Sequence, residues 1–290
     1  MAILDGARAA TTRTAPRLRY WTAGRGRAPV LLIMGFGMQG RVWRPQIQDL
    51  GRDHRLAFYD HRGVGESERG AAKRWRMEDM AGDALRVMDA AGWESAHVVG
   101  VSMGGMIAQH LALRAEARVR SMTLIATHEG GFVEAMPTPR GMRLFLDSFV
   151  ARGPGEKVAA LRELLYPPAF LETVDEAALA QRMRDQVGQP APRPVLLAQL
   201  EAVWRHRAGP RLVGLEVPTL IVKPALDLLV RPSCSDQLQE RMPHARLLEL
   251  PDAGHGATFQ SARTLNDAIR RLVSDAEAQR VALEQPTIQA

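Results

Sequence analysis

Ser102 lies in the pentapeptide Gly100-Val101-Ser102-Met103-Gly104, which follows a short apolar run and precedes a helical pattern. A serine at a tight turn between a strand and a helix exposes its hydroxyl, and the flanking glycines let the two elements approach closely. The same turn directs the backbone N–H of Met103, at the positive end of the next helix, toward an oxyanion formed by serine attack. The spacing therefore predicts a nucleophilic serine.

A serine hydroxyl is a poor nucleophile at neutral pH unless a nearby base takes its proton. Among the eight histidines of the chain, His255 is the best candidate for that base. It lies between Gly254 and Gly256 in a loop that follows the apolar run 247–250. Glycines on both sides free the backbone to direct the imidazole, so His255 is predicted to act with Ser102.

The base needs a carboxylate to fix its tautomer and to stabilise the imidazolium. Asp227 follows the apolar run 219–223 through a short turn and precedes His255, so its place in the chain fits the order Ser, Asp, His. Glu129, just after the run 119–126, is an alternative acid. Asp252 is too near His255 in sequence to serve. Asp227 is therefore the predicted acid, with Glu129 kept as the alternative.

A second oxyanion donor is expected from the loop that follows the apolar run 29–34. Gly35, Gly37 and Gly40 interrupt this loop, and the backbone N–H of Phe36 is the predicted donor. The loop also matches the pattern G-x-G-x-x-G of dinucleotide-binding proteins, but no acidic ribose partner follows a second strand convincingly. With no cluster of metal ligands and no phosphate loop, no cofactor and no metal are expected.

Seven apolar runs alternate with helical patterns, which predicts an α/β fold. Because several runs are continuously apolar, they are typical of strands buried on both faces of a mostly parallel sheet flanked by helices. The predicted strands span residues 17–22, 29–34, 55–60, 97–101, 119–126, 218–223 and 245–250. The predicted helices that cover them span residues 43–51, 77–92, 103–114, 233–241 and 259–276.

The strand rhythm stops between residues 127 and 215, where helical segments are separated by glycine and proline clusters. This predicts a core formed by residues 1–127 and 215–290, with a helical cap inserted over residues 128–214. The first dozen residues and the tail after Ala276 are expected to be peripheral. Aromatic and leucine side chains of the cap are expected to roof an apolar acyl pocket: Phe145, Phe149, Leu164, Leu165, Tyr166, Phe170 and Trp204.

The net charge of +6 does not indicate a nucleic-acid partner, because the basic residues are interleaved with 32 acidic ones and form no stripe. No run of about 18 apolar residues and no apolar leader occur, so a soluble protein without a membrane span or signal peptide is expected. The single Cys234 excludes an internal disulfide, in keeping with a cytoplasmic location. The sequence does not determine whether the chain forms a homo-oligomer.

These motifs resemble the α/β-hydrolase superfamily, and specifically its serine esterase and lactonase-like branch with a helical cap between the sixth and seventh strands. The resemblance covers about residues 17–273, and the segment 58–67 is similar to a family turn that braces the site. One departure is Met34-Gly35, where many members have His-Gly. Bracing of the oxyanion loop by a histidine is therefore expected to be absent.

The resemblance implies a serine hydrolase that cleaves small-molecule carboxylic esters of short to medium acyl chain through an acyl-enzyme on Ser102. The dehalogenase and epoxide hydrolase branches are disfavoured because they use an aspartate nucleophile. A lactonase, a C–C bond hydrolase, a natural-product methylesterase and a perhydrolase share the same catalytic residues and stay as alternatives. Outside enzymes, the alternative is a ligand-binding receptor with this fold.

Overall fold

The computed structural model describes residues 6–131, 136–151, 153–187 and 189–284. Within them, eight strands form one sheet in the order β1-β2-β4-β3-β5-β6-β7-β8. The strands β1 and β2 are antiparallel to their neighbours, whereas β4, β3 and β5–β8 run parallel. Their bounds are β1 (Arg8–Thr11), β2 (Arg19–Ala23), β3 (Pro29–Ile33), β4 (Arg55–Tyr59), β5 (Ala96–Val101), β6 (Val119–Ile125), β7 (Thr219–Pro224) and β8 (Arg246–Leu250).

Helices connect the strands and cover both faces of the sheet. Short 3₁₀ turns occur at Gly40–Trp43 and Glu116–Arg118. The α-helices of the described residues are α1 (Arg44–Leu50), α2 (Met77–Ala90), α3 (Met103–Arg114), α4 (Pro139–Val150), α5 (Pro154–Leu165), α6 (Pro168–Thr173), α7 (Glu176–Val187), α8 (Arg193–Trp204), α9 (Gly209–Leu212), α10 (Ser233–Arg241), α11 (Ala257–Gln260) and α12 (Ala262–Glu284).

Two apolar layers sandwich the central strands. Successive side chains of a strand point to opposite faces, so Leu31 and Ile33 of β3 pack with α2 and α3. Val30 and Leu32 of the same strand pack on the other face with α1 and α12. Burial on both faces explains why these strands are continuously apolar, and the predicted α/β class with its mostly parallel sheet is confirmed.

Both chain ends differ from the predictions. Residues 8–11 form β1 at the edge of the sheet, a strand that the sequence did not predict. Because its residues are mostly exposed, they form no apolar run. The last helix, α12, continues past Ala276 to Glu284, because residues 277–284 consist largely of good helix formers. The predicted helix over 259–276 therefore ends too early, while residues 285–290 lie outside the described part.

Helices α4–α8 lie in the segment between β6 and β7, where the helical insertion is predicted. Leu161, Leu164 and Leu179 form an apolar cluster of their own there. By contrast, Leu212 of α9 is buried in the layer that covers the sheet. The division into a core of residues 1–127 and 215–290 and a cap of residues 128–214 stays a prediction.

Two glycines of neighbouring helices provide a matched stability test. In Gly82→Ala, on α2, the added Cβ would have Arg114 Nη1 as its nearest contact at 3.7 Å, and alanine favours a helix by about 0.5–1 kcal/mol. In Gly104→Ala, on α3, the Cβ would lie 2.1 Å from the Ile33 carbonyl oxygen. We expect urea denaturation to show Gly82→Ala stabilised and Gly104→Ala destabilised by about 1–3 kcal/mol. Equal midpoints for the two variants would contradict this packing.

Within the described part of the chain, no helix combines the length and the apolar character that a membrane-spanning segment requires.

Candidate active site

Ser102 sits at the sharp turn between β5 and α3. Its backbone angles are φ 54° and ψ −121°, in a region that non-glycine residues rarely adopt. Two hydrogen bonds hold this conformation: Ser102 N–H donates to the Ile125 carbonyl at 2.9 Å, and the Thr127 hydroxyl donates to the Ser102 carbonyl at 2.8 Å. The backbone strain is therefore maintained by the neighbouring strand β6.

The two glycines that flank Ser102 allow the close approach of strand and helix. A Cβ on Gly100 would lie 2.3 Å from the Gly104 carbonyl oxygen, and a Cβ on Gly104 would lie 2.1 Å from the Ile33 carbonyl oxygen. Neither distance is compatible with a side chain. The G-x-S-x-G spacing thus has the steric origin that the sequence indicates.

His255 and Asp227 are brought together by the ends of β7 and β8. His255 Nδ1 lies 2.7 Å from Asp227 Oδ2, and both side chains are buried. Asp227 Oδ1 accepts the backbone N–H groups of Leu229 at 2.8 Å and Val230 at 2.9 Å. These bonds fix the carboxylate, so that an Nδ1–H of His255 donates to it and leaves Nε2 free of this contact.

Glu129, the alternative acid, lies elsewhere. Its carboxylate oxygens accept from Arg241 Nε at 3.1 and 3.2 Å, and its carbonyl accepts from Ala208 N–H. It lines a separate surface depression with Arg207 and Arg241. The contact with His255 is thus made by Asp227, as its place in the chain predicts.

The predicted oxyanion donors lie on two segments near Ser102. A Cβ on Gly35 would be 3.4 Å from Ser102 Cβ, so the loop after β3 runs directly against the serine. The N–H of the next residue in this loop, Gly37, donates to Gln199 Oε1 at 2.8 Å and is therefore already engaged. Of the two N–H groups, that of Phe36 stays the predicted oxyanion donor. Met103 is the first residue of α3, so its N–H has no acceptor within the helix.

The loop after β3, which carries the predicted oxyanion donor Phe36, is braced by a histidine, contrary to expectation. His61 Nε2 lies 2.7 Å from the Met34 carbonyl oxygen, and burial lowers the pKa of His61, so that a neutral ring donates this bond. Asp60 Oδ1 accepts the N–H of Gly40 at 2.8 Å. Burial raises the pKa of Asp60 to about 6. A histidine is missing at position 34, but the turn after β4 supplies one from a distant part of the sequence.

Replacing His61 tests this bracing. His61→Leu removes the donor and leaves a buried carbonyl unsatisfied, which costs about 1–3 kcal/mol. We expect it to lower kcat/KM for an ester about tenfold or more, because the loop that carries Phe36 loses its fixed position. His61→Gln restores an N–H donor and should recover part of the loss. Steady-state kinetics with both variants measure the effect, and an unchanged kcat/KM in His61→Leu would exclude the bracing role.

A cavity of about 600 Å³ opens beside these residues and is lined by both Ser102 and His255. Of the cap side chains predicted to roof a pocket, four line this cavity: Phe145, Phe149, Leu164 and Leu165. The other three do not line it. Tyr166 and Phe170 instead pack against Phe259, and Trp204 is 56 % exposed on the outside of α8.

Gln199 and Arg182 are polar residues near the site that were not predicted from the sequence, whereas His61 lies in the segment 58–67, where the resemblance implies a bracing turn. Gln199 contacts the loop after β3, and the buried Arg182 of α7 lines the cavity. No local motif marks Gln199 and Arg182, because their contacts join residues far apart in the chain. Within the described residues, no group of three or more His, Cys, Asp or Glu side chains is arranged to hold a metal ion.

A family model described as alpha/beta hydrolase fold matches residues 28–262. The chain belongs to the α/β-hydrolase family. The match spans β3 to the start of α12 and thus includes each residue of the candidate active site. The eight-stranded sheet flanked by helices is the α/β-hydrolase fold that the motifs imply.

Several known hydrolases are similar to this chain in sequence or in structure. Over 254 residues the chain is 34% identical to a protein of Azorhizobium caulinodans named "Putative carbamate hydrolase RutD", covering 87% of this chain and 93% of that protein. The enol-lactonase of Burkholderia xenovorans LB400 has a similar structure, with TM-score 0.76, 24% identity and coverage of 92% and 100%. A thermophilic esterase of Thermogutta terrifontis gives TM-score 0.75 at 22% identity, with coverage of 93% and 98%. Both structures have the same fold as this chain.

Proposed function

We propose that this α/β-hydrolase is a serine hydrolase that cleaves carboxylic esters of short to medium acyl chain through an acyl-enzyme on Ser102. The proposal rests on one observation: the strained Ser102 lies on a cavity that is also lined by His255, and the Nδ1 atom of His255 contacts Asp227. A strained residue held by its neighbours at a cavity is a mark of function.

In the proposed reaction, His255 Nε2 takes the proton of Ser102 Oγ while Oγ attacks the carbonyl carbon of the ester. The N–H groups of Phe36 and Met103 donate to the oxyanion of the tetrahedral intermediate. The C–O bond then breaks, and the leaving alcohol receives the proton from His255. Water, deprotonated by His255, attacks the acyl group on Ser102 and releases the acid, which restores the enzyme.

The cavity supports a small-molecule substrate. Its volume of about 600 Å³ lies within the usual range of small-molecule sites, about 300–1,000 Å³. Its aromatic and aliphatic wall, which includes Phe145, Phe149 and Leu164, suits an acyl chain of limited length.

A series of 4-nitrophenyl esters from acetyl to dodecanoyl tests the substrate class. We expect kcat/KM to pass through a maximum at short to medium chain length and to fall for dodecanoyl, because a cavity of about 600 Å³ with Phe145, Phe149 and Leu164 in its wall accommodates an acyl chain of limited length. Release of 4-nitrophenolate by the wild-type protein and by Ser102→Ala gives the enzymatic rate and its background. Turnover no faster than the background across the whole series would contradict ester cleavage.

Carbamate cleavage is the second candidate, because the relative from Azorhizobium caulinodans carries the name of a carbamate hydrolase. The same serine would then form a carbamoyl-enzyme. Comparing 4-nitrophenyl N-methylcarbamate with 4-nitrophenyl acetate separates the two. Sustained turnover of the carbamate at a rate near that of the acetate favours this candidate, whereas a single carbamoylation without turnover favours ester cleavage.

A further inference from the structure

Arg182 is a buried cation whose identified partners are neutral. Its side chain, on α7, belongs to a residue that is only 4% exposed. Nη1 donates to the Val42 carbonyl, and Nη2 donates to the Thr258 hydroxyl at 2.9 Å. The guanidinium carbon lies 5.8 Å from the centre of the Phe259 ring. None of these groups carries a negative charge.

Arg62, another buried arginine of the described residues, is paired with a carboxylate, which is the usual arrangement for a buried charge. Arg62 forms a salt bridge with Asp83 at 2.6 Å, and both side chains are buried. Arg182 has no carboxylate within salt-bridge distance among the described residues, and Asp185, on the same helix, pairs with Arg44 at 3.0 Å. A buried charge without an opposite charge is unfavourable. The fold therefore retains an uncompensated positive charge at Arg182.

This charge faces the candidate active site. Arg182, Lys157 and Arg193 are the charged residues that line the cavity, and no Asp or Glu lines it in the described part of the chain. Burial lowers the pKa of Lys157. Gln186, one turn along α7 from Arg182, also lines the cavity and is 8% exposed. Its buried Oε1 has no hydrogen-bond partner among the described residues. Because Oε1 is an acceptor, the amide has to rotate before its NH₂ group can donate to an anion.

We propose that Arg182 and Gln186 form a subsite for a carboxylate group carried by the substrate. This inference rests on the proposed function, since it names the class of ester that the site takes. A guanidinium matches the planar geometry of a carboxylate and is the favoured group for such pairs inside proteins. The amide N–H groups of Gln186 supply further donors once the side chain turns toward the ligand.

The position of Arg182 limits how far this carboxylate lies from the reacting carbonyl. Thr258, which accepts from Arg182, comes three residues after His255. Val42, which also accepts, comes six residues after Phe36. Arg182 thus connects the two loops that carry the proposed base and oxyanion donor. A carboxylate only a few bonds from the scissile ester fits this arrangement.

Esters that differ only in charge test the subsite. On the acyl side, ethyl hydrogen succinate is compared with ethyl succinamate. On the alcohol side, the butyryl ester of glycolate is compared with that of glycolamide. We expect at least one anionic ester to have a kcat/KM about tenfold or more above its amide analogue, mainly through KM. The side that shows the preference identifies where the substrate carries its carboxylate.

The readout for Arg182→Gln is the ratio of kcat/KM for the anionic ester to that for its amide. We expect this ratio to fall about tenfold or more, whereas Arg184→Gln, an exposed arginine of the same helix, should leave it unchanged. A purely structural role of Arg182 would lower both rates together and keep the ratio. That result, or a ratio near one in the wild-type protein, would overturn the subsite.

Direct binding separates this inference from the proposed function. Calorimetry with Ser102→Ala and each of the two anionic esters measures affinity without turnover, and adding Arg182→Gln should weaken the affinity for at least one of them about tenfold or more. If no ester is cleaved but this loss of affinity occurs, the proposed function fails and the subsite stands. If esters are cleaved but the affinity is unchanged, the subsite is wrong and the hydrolase proposal stands.

Discussion

Replacing Ser102 by alanine is expected to lower kcat for a 4-nitrophenyl ester by a factor of about 10⁴ or more. The variant lacks the oxygen that forms the acyl-enzyme, and losses of up to about 10⁶ follow removal of the nucleophile in serine proteases. Residual rate enhancement comes from the oxyanion donors and from substrate binding. Because the backbone strain at Ser102 is held by β6, the alanine variant should fold normally, which circular dichroism can verify.

Ser148 provides a matched control for this substitution. It also lines the cavity, is 8% exposed, and donates to the Phe145 carbonyl at 2.7 Å. Ser148→Ala removes a hydroxyl from the same cavity but not from the turn between β5 and α3. We expect its kcat to stay within a few-fold of wild type. A similar loss in both variants would mean that Ser102 has no special role.

Asp227→Asn is expected to lower kcat/KM by a factor of about 10⁴. Asp227 Oδ1 already accepts two backbone N–H groups, so an asparagine keeps that contact and turns its NH₂ group toward His255. His255 must then accept at Nδ1 and carry its proton on Nε2, where it can no longer take the proton of Ser102. This is the loss of the correct tautomer that costs about 10⁴ in serine proteases.

Glu129→Gln distinguishes the two acids that the sequence leaves open. Because Glu129 pairs with Arg241 rather than with His255, we expect this variant to keep kcat/KM within a few-fold of wild type. Steady-state kinetics on both variants give the comparison. A loss in Glu129→Gln that equals the loss in Asp227→Asn would contradict the pairing of Asp227 with His255.

The parts of the site that the sequence predicts are those set by local geometry. Gly100, Ser102 and Gly104 lie within five consecutive residues, and the turn they form depends on their own backbone angles and on the absence of side chains at the two glycines. The sheet is similarly accessible to prediction, because strands buried on both faces must be continuously apolar. Asp227 and His255 follow from their places after β7 and β8.

The parts that the sequence does not predict depend on long-range contacts. His61, just after β4, contacts the Met34 carbonyl at the end of the adjacent strand β3, and Gln199 reaches Gly37 from α8, 162 positions away. The sequence of α7 shows neither that Arg182 is buried nor that its partners are neutral. The edge strand β1 is likewise not predicted from the sequence. It pairs with β2 alone and is mostly exposed, so it requires no apolar residues.

The cap shows a similar limit. The amphipathic pattern predicts which aromatic side chains of the cap are buried. It does not predict whether a given side chain lines the cavity or packs against other apolar side chains. Phe145 lines the cavity, whereas Phe170 packs against Phe259 of α11. The choice depends on how the helices lie against the sheet, and that arrangement is a property of the fold.

The most direct test of the account is covalent labelling of the nucleophile. A 4-nitrophenyl alkylphosphonate, which places phosphorus on the attacking oxygen and releases 4-nitrophenolate, is incubated with wild type and Ser102→Ala, and the products are mapped by peptide mass spectrometry. We expect one nitrophenolate released per wild-type chain, with the phosphonyl mass on the peptide that contains Ser102 and no label in the variant. A label on another residue, or ester hydrolysis that persists in Ser102→Ala, would contradict the central role of Ser102.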